Sequence, residues 1–280
     1  MTSSATRQRG MALIAVLWLV ASMSLIIGGV VRSVRSEAKV AGNQRQTSIA
    51  SARADAAILL ALQHLQAKPP GAQPQTVPVV FDGVTYLVHI TPLNGLLDIN
   101  NASVGLLADL YQYAGAADPQ TARSLALSTE ATRLLKNTKA MAQGFDAVPD
   151  LMTVPGMRYE LYAKVVPLVT ADIKSGSGRI NPLAAPLALL TALASGNSAR
   201  ATQFAAQRNV NPTGADSTFF KSEYIDMSPS SSLSLRVNAT LPDGAAVQRG
   251  WHVFWGTDTR TGLPWRVLNV QPTRLAPLPD

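Results

Sequence analysis

The sequence contains no cysteine, and only three of its 280 residues are histidine. Without cysteine there is no disulfide framework, no thiolate nucleophile and no thiolate metal site. An exported domain of this kind is held by its core alone. His64, His89 and His252 share no motif. They fall in a helical stretch and in two strand-like runs, where a lone histidine is structural or superficial far more often than a ligand. Also missing are Gly-x-Ser-x-Gly, His-Glu-x-x-His and a phosphate-cradling glycine loop. No catalytic set remains, and the chain reads as a non-enzyme. Charge is scarce too, at 15% of residues, and none falls between Met11 and Val31.

That charge-free run is the first positive signal. As a helix its 21 residues span about 32 Å at ~1.5 Å per residue, which matches a hydrocarbon core of roughly 30 Å. Arg7 and Arg9 before it place the short N-terminus in the cytoplasm, so everything after Arg32 is exported. A cleavable secretory peptide has an apolar region of ~7–15 residues followed by a small-x-small site. This run is longer and continues into a helical pattern, so a retained anchor is expected.

The net charge of +7 is localised. Residues 1–68 hold eight Lys/Arg against Glu37 and Asp55, whereas residues 69–280 hold sixteen against fifteen acids. The basicity flanks the anchor and the body is close to neutral. Phosphate binding needs clustered Lys/Arg, so nucleic acid is not an expected partner.

From Arg32 to Lys68 the chain stays helix-compatible. Ile49, Ala52, Ala56, Leu59 and Leu60 recur at spacings of three and four and predict one apolar stripe. Gln46, Arg53, Gln63 and Gln66 leave the other face polar, and Lys68-Pro69-Pro70-Gly71 stops the helix. Anchor and amphipathic stretch therefore read as one helix, packed at its far end on a soluble domain. Val77–Phe81 and Val84–Ile90 then form a hairpin across Asp82-Gly83. Residues 99–195 turn helical. Ile99-Asn100 and Ile180-Asn181 each precede a Leu-Leu-x-x-Leu face, and in each the Asn and the small polar or Pro residues after it suit a helix start. Between them, Asp146 to Val166 reads as helix, Pro155-Gly156 hairpin, helix. After Ser195 the composition shifts to Asn, Thr, Ser and Gly. Leu233, Leu235, Val237 and Ala239 then alternate as a strand, Leu241-Pro242-Asp243-Gly244 turns, and Trp251–Trp255 with Trp265–Val270 make a last hairpin. Helix, strands, helical block, strands: the simplest architecture is an α+β body with a helical insertion.

Candidate binding residues are few. Asp216, Glu223 and Asp226 lie beside Ser and Thr and are the candidates for a hard cation such as Ca²⁺. The competing reading is a solvated loop, because no loop signature fixes the ligand spacing. Asp146 and Asp150 suit a helix start better than a metal. The Pro155-Gly156 hairpin resembles part of the helix-hairpin-helix motif of DNA-binding proteins, and a membrane-anchored competence receptor would combine it with a span. Against this, Val154-Pro155-Gly156-Met157 lacks the second glycine and the body lacks surplus cations.

Arg9-Gly10-Met11-Ala12-Leu13-Ile14 resembles the processing site of type IV pilin-like precursors. The resemblance implies that a prepilin peptidase cuts after Gly10 and methylates the new amine of Met11. The fifth mature residue is then Ala15, where most of that family has Glu. A subunit without this carboxylate leaves a neighbour's amine unpaired in an apolar surround, which is costly. It therefore suits an end of the filament rather than its middle. The missing Glu and the helical insertion together are similar to the K-type minor pseudopilins of the type II secretion system. The matching pieces are Leu97-Asp98-Ile99-Asn100, Val154-Pro155-Gly156-Met157 with Tyr162–Val169, and Gly178-Arg179-Ile180-Asn181 before Ala185-Pro186-Leu187. The resemblance implies a pilin-like α+β fold, with a long membrane-spanning N-terminal helix on an antiparallel sheet and an all-helical insertion of helix-hairpin-helix or SAM-like type.

The boundaries expected on this basis are a leader at 1–10, a stem helix at 11–68, a body at 69–98 and 196–280, and an insertion at 99–195. The implied partners are the I, J and H types of minor pseudopilin, the major pseudopilin, the prepilin peptidase and the inner membrane. The body would lie in the periplasm and form a pseudopilus tip. No cofactor is required, although some relatives bind calcium. A type IV pilus minor pilin is the alternative within the same class. Replacing Gly10 with valine should leave the precursor at full length on an immunoblot from cells containing the peptidase; normal shortening would refute the processing site.

Overall fold

The computed structural model describes residues 5–140, 144–173, 176–241 and 244–275, apart from the side chains of 5–12, 25–33, 136–140, Thr213 and Leu275. The first element, α1 (Ala5–Ala67), is one helix of 63 residues, roughly 95 Å long at ~1.5 Å per residue. It ends where two prolines remove the donors and backbone freedom that a further turn needs. Among the described residues, it is the last third that packs on the rest of the chain. There Ala50, Ala54, Ala57, Ile58, Ala61, Leu62 and Leu65 are buried.

This face corrects the expected stripe. Ile49 and Leu59 are exposed, as is Ala52, while Ala56 and Leu60 are half-buried. The true stripe is displaced by about one residue around the helix. Both series have the same periodicity, so periodicity cannot choose between them. Packing and polar partners do. The buried series is rich in alanine, which lets the helix approach the sheet closely. It is also flanked by Arg53 and Asp55, each of which finds a partner on the sheet.

After α1 come β1 (Gln75–Phe81) and β2 (Val84–Pro92), paired antiparallel. Asp82 and Gly83 turn the chain with φ of 52° and 72°, the two positive angles that a two-residue hairpin of this twist requires. The helical domain follows. It contains β3 (Leu97–Asp98), α2 (Val104–Asp109), α3 (Pro119–Ala140), α4 (Tyr159–Val165), β4 (Val169–Thr170), α5 (Leu187–Leu193) and α6 (Ser198–Val210). The chain then returns as β5 (Ser232–Thr240), β6 (Ala246–Trp255), β7 (Trp265–Val270) and β8 (Arg274–Leu275). The main sheet has the order β1-β2-β5-β6-β7, with β8 also on β6, and every pairing in it is antiparallel.

Two separate cores result. One lies between α1 and the inward face of the sheet, and it takes the predicted alternation Leu233, Leu235, Val237 and Ala239. The other lies within the helical domain, built around Leu107, Tyr111, Phe145, Leu190 and Phe204. Tyr111 shares a hydrogen bond with Thr129 (3.0 Å), and burial pushes its phenol up to about 12, so it stays neutral. This second core runs from Leu97 to Tyr224. The insertion therefore does not end at 195. α6 and the packed rings of Phe204, Phe219 and Phe220 belong to it, and a parallel bridge between Ile180 and Ile225 closes it.

Two further expectations change at this level. Residues 148–153 form a 3-10 helix rather than an α-helix, although Gly156 does turn the chain, at φ 89°. Asn100 and Asn181 do not cap helices. Ser103 caps α2, and Pro186 stands at the N-terminal boundary of α5. Asn100 instead binds Phe145 through both backbone groups, at 2.7 and 3.0 Å. The expected turn at 241–244 has its middle two residues outside the described ones. Among the described residues no helix is long and apolar enough to cross a membrane; the expected span at 11–31 lies partly beyond the described side chains.

The corrected stripe makes a contrast. Leu62→Ala should cost about 2–5 kcal/mol, the range for a buried leucine. Leu59→Ala, one turn back on the exposed side, should cost under about 1 kcal/mol. Urea unfolding of the full chain in detergent, followed by tryptophan fluorescence, reads both. Equal losses would refute the assigned face.

Candidate functional site

The processing residues and the body lie at opposite ends of α1. Gly10 and Met11 have helical backbones, with side chains outside the description. Ala15 is exposed on the helix, within a stretch where Leu13, Leu17, Trp18 and Met23 each expose more than half of their surface. From Leu13 to Met23 this surface is apolar on every side apart from Ser22, whose hydroxyl donates to the Trp18 carbonyl. A helix of that kind is normally buried, in a large core or in a membrane. Nothing in the rest of the described chain covers it.

At the other end α1 is fixed to the sheet by charge as well as by packing. Asp55 accepts from Arg249 Nε (2.8 Å) and Nη2 (3.2 Å) and from the indole nitrogen of Trp251 (2.8 Å). Arg249 and Trp251 alternate with Gly250 on β6, so both point inward to α1. Arg249 is held in turn by the Gln271 carbonyl at 3.0 Å. On the other flank Arg53 reaches Asp82 in the hairpin turn at 2.6 Å. The stem is thereby pinned to two separate places on the sheet.

The two cores meet at a polar junction. Asn181 donates from its backbone to the Asn94 carbonyl (2.7 Å) and from its side chain to the Ala72 carbonyl (2.6 Å). It thus ties the helical domain to the segment between α1 and β1. Gly95 lies so close to Ala184 that a Cβ there would be 2.6 Å from the alanine methyl. On the sheet side His252 contacts Asp172 through Nδ1 at 2.5 Å and Gln271 through Nε2 at 2.8 Å. With the Gln271 amide nitrogen as donor to Nε2, the ring carries its hydrogen on Nδ1 and donates it to the carboxylate. His252 is thus a joint between domains. His89 bonds Thr76, and His64 stays on α1, so the three histidines remain apart.

The candidate metal residues are not assembled. Asp216 accepts from the backbone and hydroxyl of Thr218 (3.0 and 2.6 Å), which hold its carboxyl below the usual range. Asp226 accepts from the Ser228 backbone at 2.9 Å and is lowered by it. Glu223 is exposed. Among the described residues no group of three or more His, Asp or Glu side chains is placed to hold a metal ion. The calcium expectation therefore finds no ligand set here. Short-range Asx turns, which need only one carboxylate and its own loop, account for the acidic residues at 216 and 226.

A long helix laid on an antiparallel sheet is the arrangement of pilin-like α+β folds, and here a helical domain is inserted between β2 and β5. Within this class the chain is similar to a chain of the GspK-GspI-GspJ complex from the enterotoxigenic Escherichia coli type 2 secretion system. The TM-score is 0.53 at 16% identity, and the match covers 84% of this chain and 98% of that one. At that identity the likeness establishes the fold. No family model matches the chain, and no curated protein matches it.

Asp55→Ala removes one carboxylate and strands three N–H donors on Arg249 and Trp251, so it should destabilise the full chain by about 2 kcal/mol, the scale for hydrogen bonds to a charged group. Asp55→Asn keeps one acceptor and should cost less. Equal stability of all three proteins in urea would remove the clamp from the account.

Proposed function

We propose that this chain is a non-enzymatic minor pseudopilin of a type II secretion system, acting at the tip of the pseudopilus. The observation that carries this reading is the division of α1. Its last third is locked to a folded body, while the stretch around Leu13–Met23 is apolar, exposed and unused by the rest of the chain. An apolar surface of this extent needs a partner phase, and the candidates are lipid and the stems of other subunits. The charge-free run from Met11 to Val31 supports a single inner-membrane span with the body in the periplasm. The Arg9-Gly10-Met11 sequence supports prepilin peptidase as the processing enzyme.

Ala15 supports the position at the tip. Without the carboxylate, the subunit offers no partner for the amine of a neighbour, and that pairing matters only where another subunit follows. The helical domain adds bulk beside the sheet, which suits an end with free space. The similar chain is part of a complex with two other pseudopilin types, which supports I- and J-type pseudopilins as the immediate partners here. An H-type subunit and the major pseudopilin would follow below.

The test is assembly. The full chain in detergent should co-elute with the soluble domains of the I- and J-type pseudopilins of the same system in size-exclusion chromatography, as one peak of larger size than any component. Separate elution of all three at micromolar concentration would overturn the tip assignment. Tight, salt-sensitive DNA binding by the same preparation would favour the competence receptor instead.

A further inference from the structure

The helical domain overhangs the outward face of the sheet, opposite α1, and leaves a cleft of about 540 Å³ between them. That is within the ~300–1,000 Å³ range of sites for organic ligands and larger than an inorganic anion needs. The register places its charges. Arg236 on β5 pairs with Gly250, and Arg274 on β8 pairs with Gln248. Gln248 and Gly250 are two apart on β6 and share the outward face, so both arginines do too. Two strand spacings of ~4.8 Å and two residues along the strand separate their Cα atoms by about 12 Å. Gly250 leaves the floor between them without a side chain, and the Gln271 side chain lies over it.

Both arginines are exposed, and among the described residues neither has a carboxylate partner. Asp172 is the one acid in the cleft wall, and His252 engages it. The floor thus carries two guanidinium groups that are in contact with no carboxylate, against the single carboxylate of Asp172 in the wall. The opposite wall is different in kind: Val148, Pro149, Tyr162 and Pro167 of the helical domain make it largely apolar.

We propose that this cleft binds a short extended segment of a partner protein in which acidic and apolar residues alternate. In an extended strand successive side chains point to opposite sides, and residues two apart on one side are separated by about 6.8 Å. Carboxylates at alternate positions then face Arg236 and Arg274, within reach of the two long side chains. The intervening apolar residues face the helical-domain wall. Arginine favours this role because its planar guanidinium meets a carboxylate through two parallel hydrogen bonds. The inference goes beyond the pseudopilin reading and stands independently of it: peptide binding can hold while co-elution with I- and J-type domains fails.

The probe is fluorescein-labelled Glu-Leu-Glu-Leu-Glu amide, titrated with the full chain in detergent and followed by anisotropy. The control is Lys-Leu-Lys-Leu-Lys amide, which partitions into micelles equally well but carries the wrong charge. Saturable binding of the acidic peptide alone is expected. It should be weakened at least tenfold by Arg236→Glu or Arg274→Glu, and partly retained with lysine at either position. Circular dichroism on each variant confirms folding, since both residues are exposed. Failure to saturate, equal binding of both peptides, or unchanged affinity in the double charge reversal would overturn the proposal. Displacement of the peptide by equimolar inorganic phosphate would also overturn it, by reducing the cleft to a simple anion site.

Discussion

The close approach of α1 to the sheet governs the rest of the structure. Ala50, Ala54, Ala57 and Ala61 give the helix a nearly smooth face, and the inward residues of β1, β2, β5 and β6 pack directly against it. Alanine contributes little burial by itself. Its value here is distance: a smooth face lets Ile58, Leu62 and Leu65 reach into the sheet core without lifting the helix away. Close packing of this kind resembles a molecular crystal more than an oil, so the angle at which the stem leaves the body follows from it. The Asp55 and Arg53 contacts then fix rotation about the helix axis. Under the pseudopilin role proposed above, a stem that leaves at a set angle would have its alignment with other stems settled before assembly.

The helical domain answers to a different physics. It has its own core and joins the sheet mainly through asparagine, histidine and carboxylate contacts. Polar junctions keep geometry through directional bonds, and they leave room for solvent and ligands where packed apolar faces would not. That is why the cleft lies between the two cores and why its two walls differ in chemistry. The sheet contributes charge from a face that would otherwise be bare, and the helical domain contributes apolar cover. Inserting the domain between β2 and β5, two neighbouring strands, costs the sheet nothing in pairing, since β2 and β5 still meet in register.

Several features were legible in the sequence. Asp82-Gly83 predicted its hairpin because few other pairs tolerate two positive φ angles. The alternation at Leu233–Ala239 predicted which side of β5 is inward. The periodicity of α1 predicted an amphipathic stem, although the wrong phase of it. Each series carries three large aliphatic side chains, Ile49, Leu59 and Leu60 in the expected one and Ile58, Leu62 and Leu65 in the buried one, so hydrophobicity could not choose between them; fit and polar partners did. The stretch after Ser195 was illegible for a related reason. Its three phenylalanines are far apart or adjacent in sequence and show no helical period; only folding gathers Phe204, Phe219 and Phe220 into one cluster. Asn100 and Asn181 looked like caps since asparagine is common at helix starts, but their partners are some 45 and 109 residues away.

By itself, then, the sequence determined the local things: a charge-free run with cationic flanks, the absence of cysteine, and the order of helix, strands, helical block and strands. Each depends on residues near one another along the chain, where propensity, periodicity and turn chemistry act directly. Tertiary structure decided which face of α1 is buried, where the helical domain ends, that the three acidic candidates stay apart, and that Arg236 and Arg274 share one face of a cleft. Those outcomes depend on contacts between distant segments. Several arrangements satisfy the same local pattern, and only the simultaneous packing of two cores selects one of them.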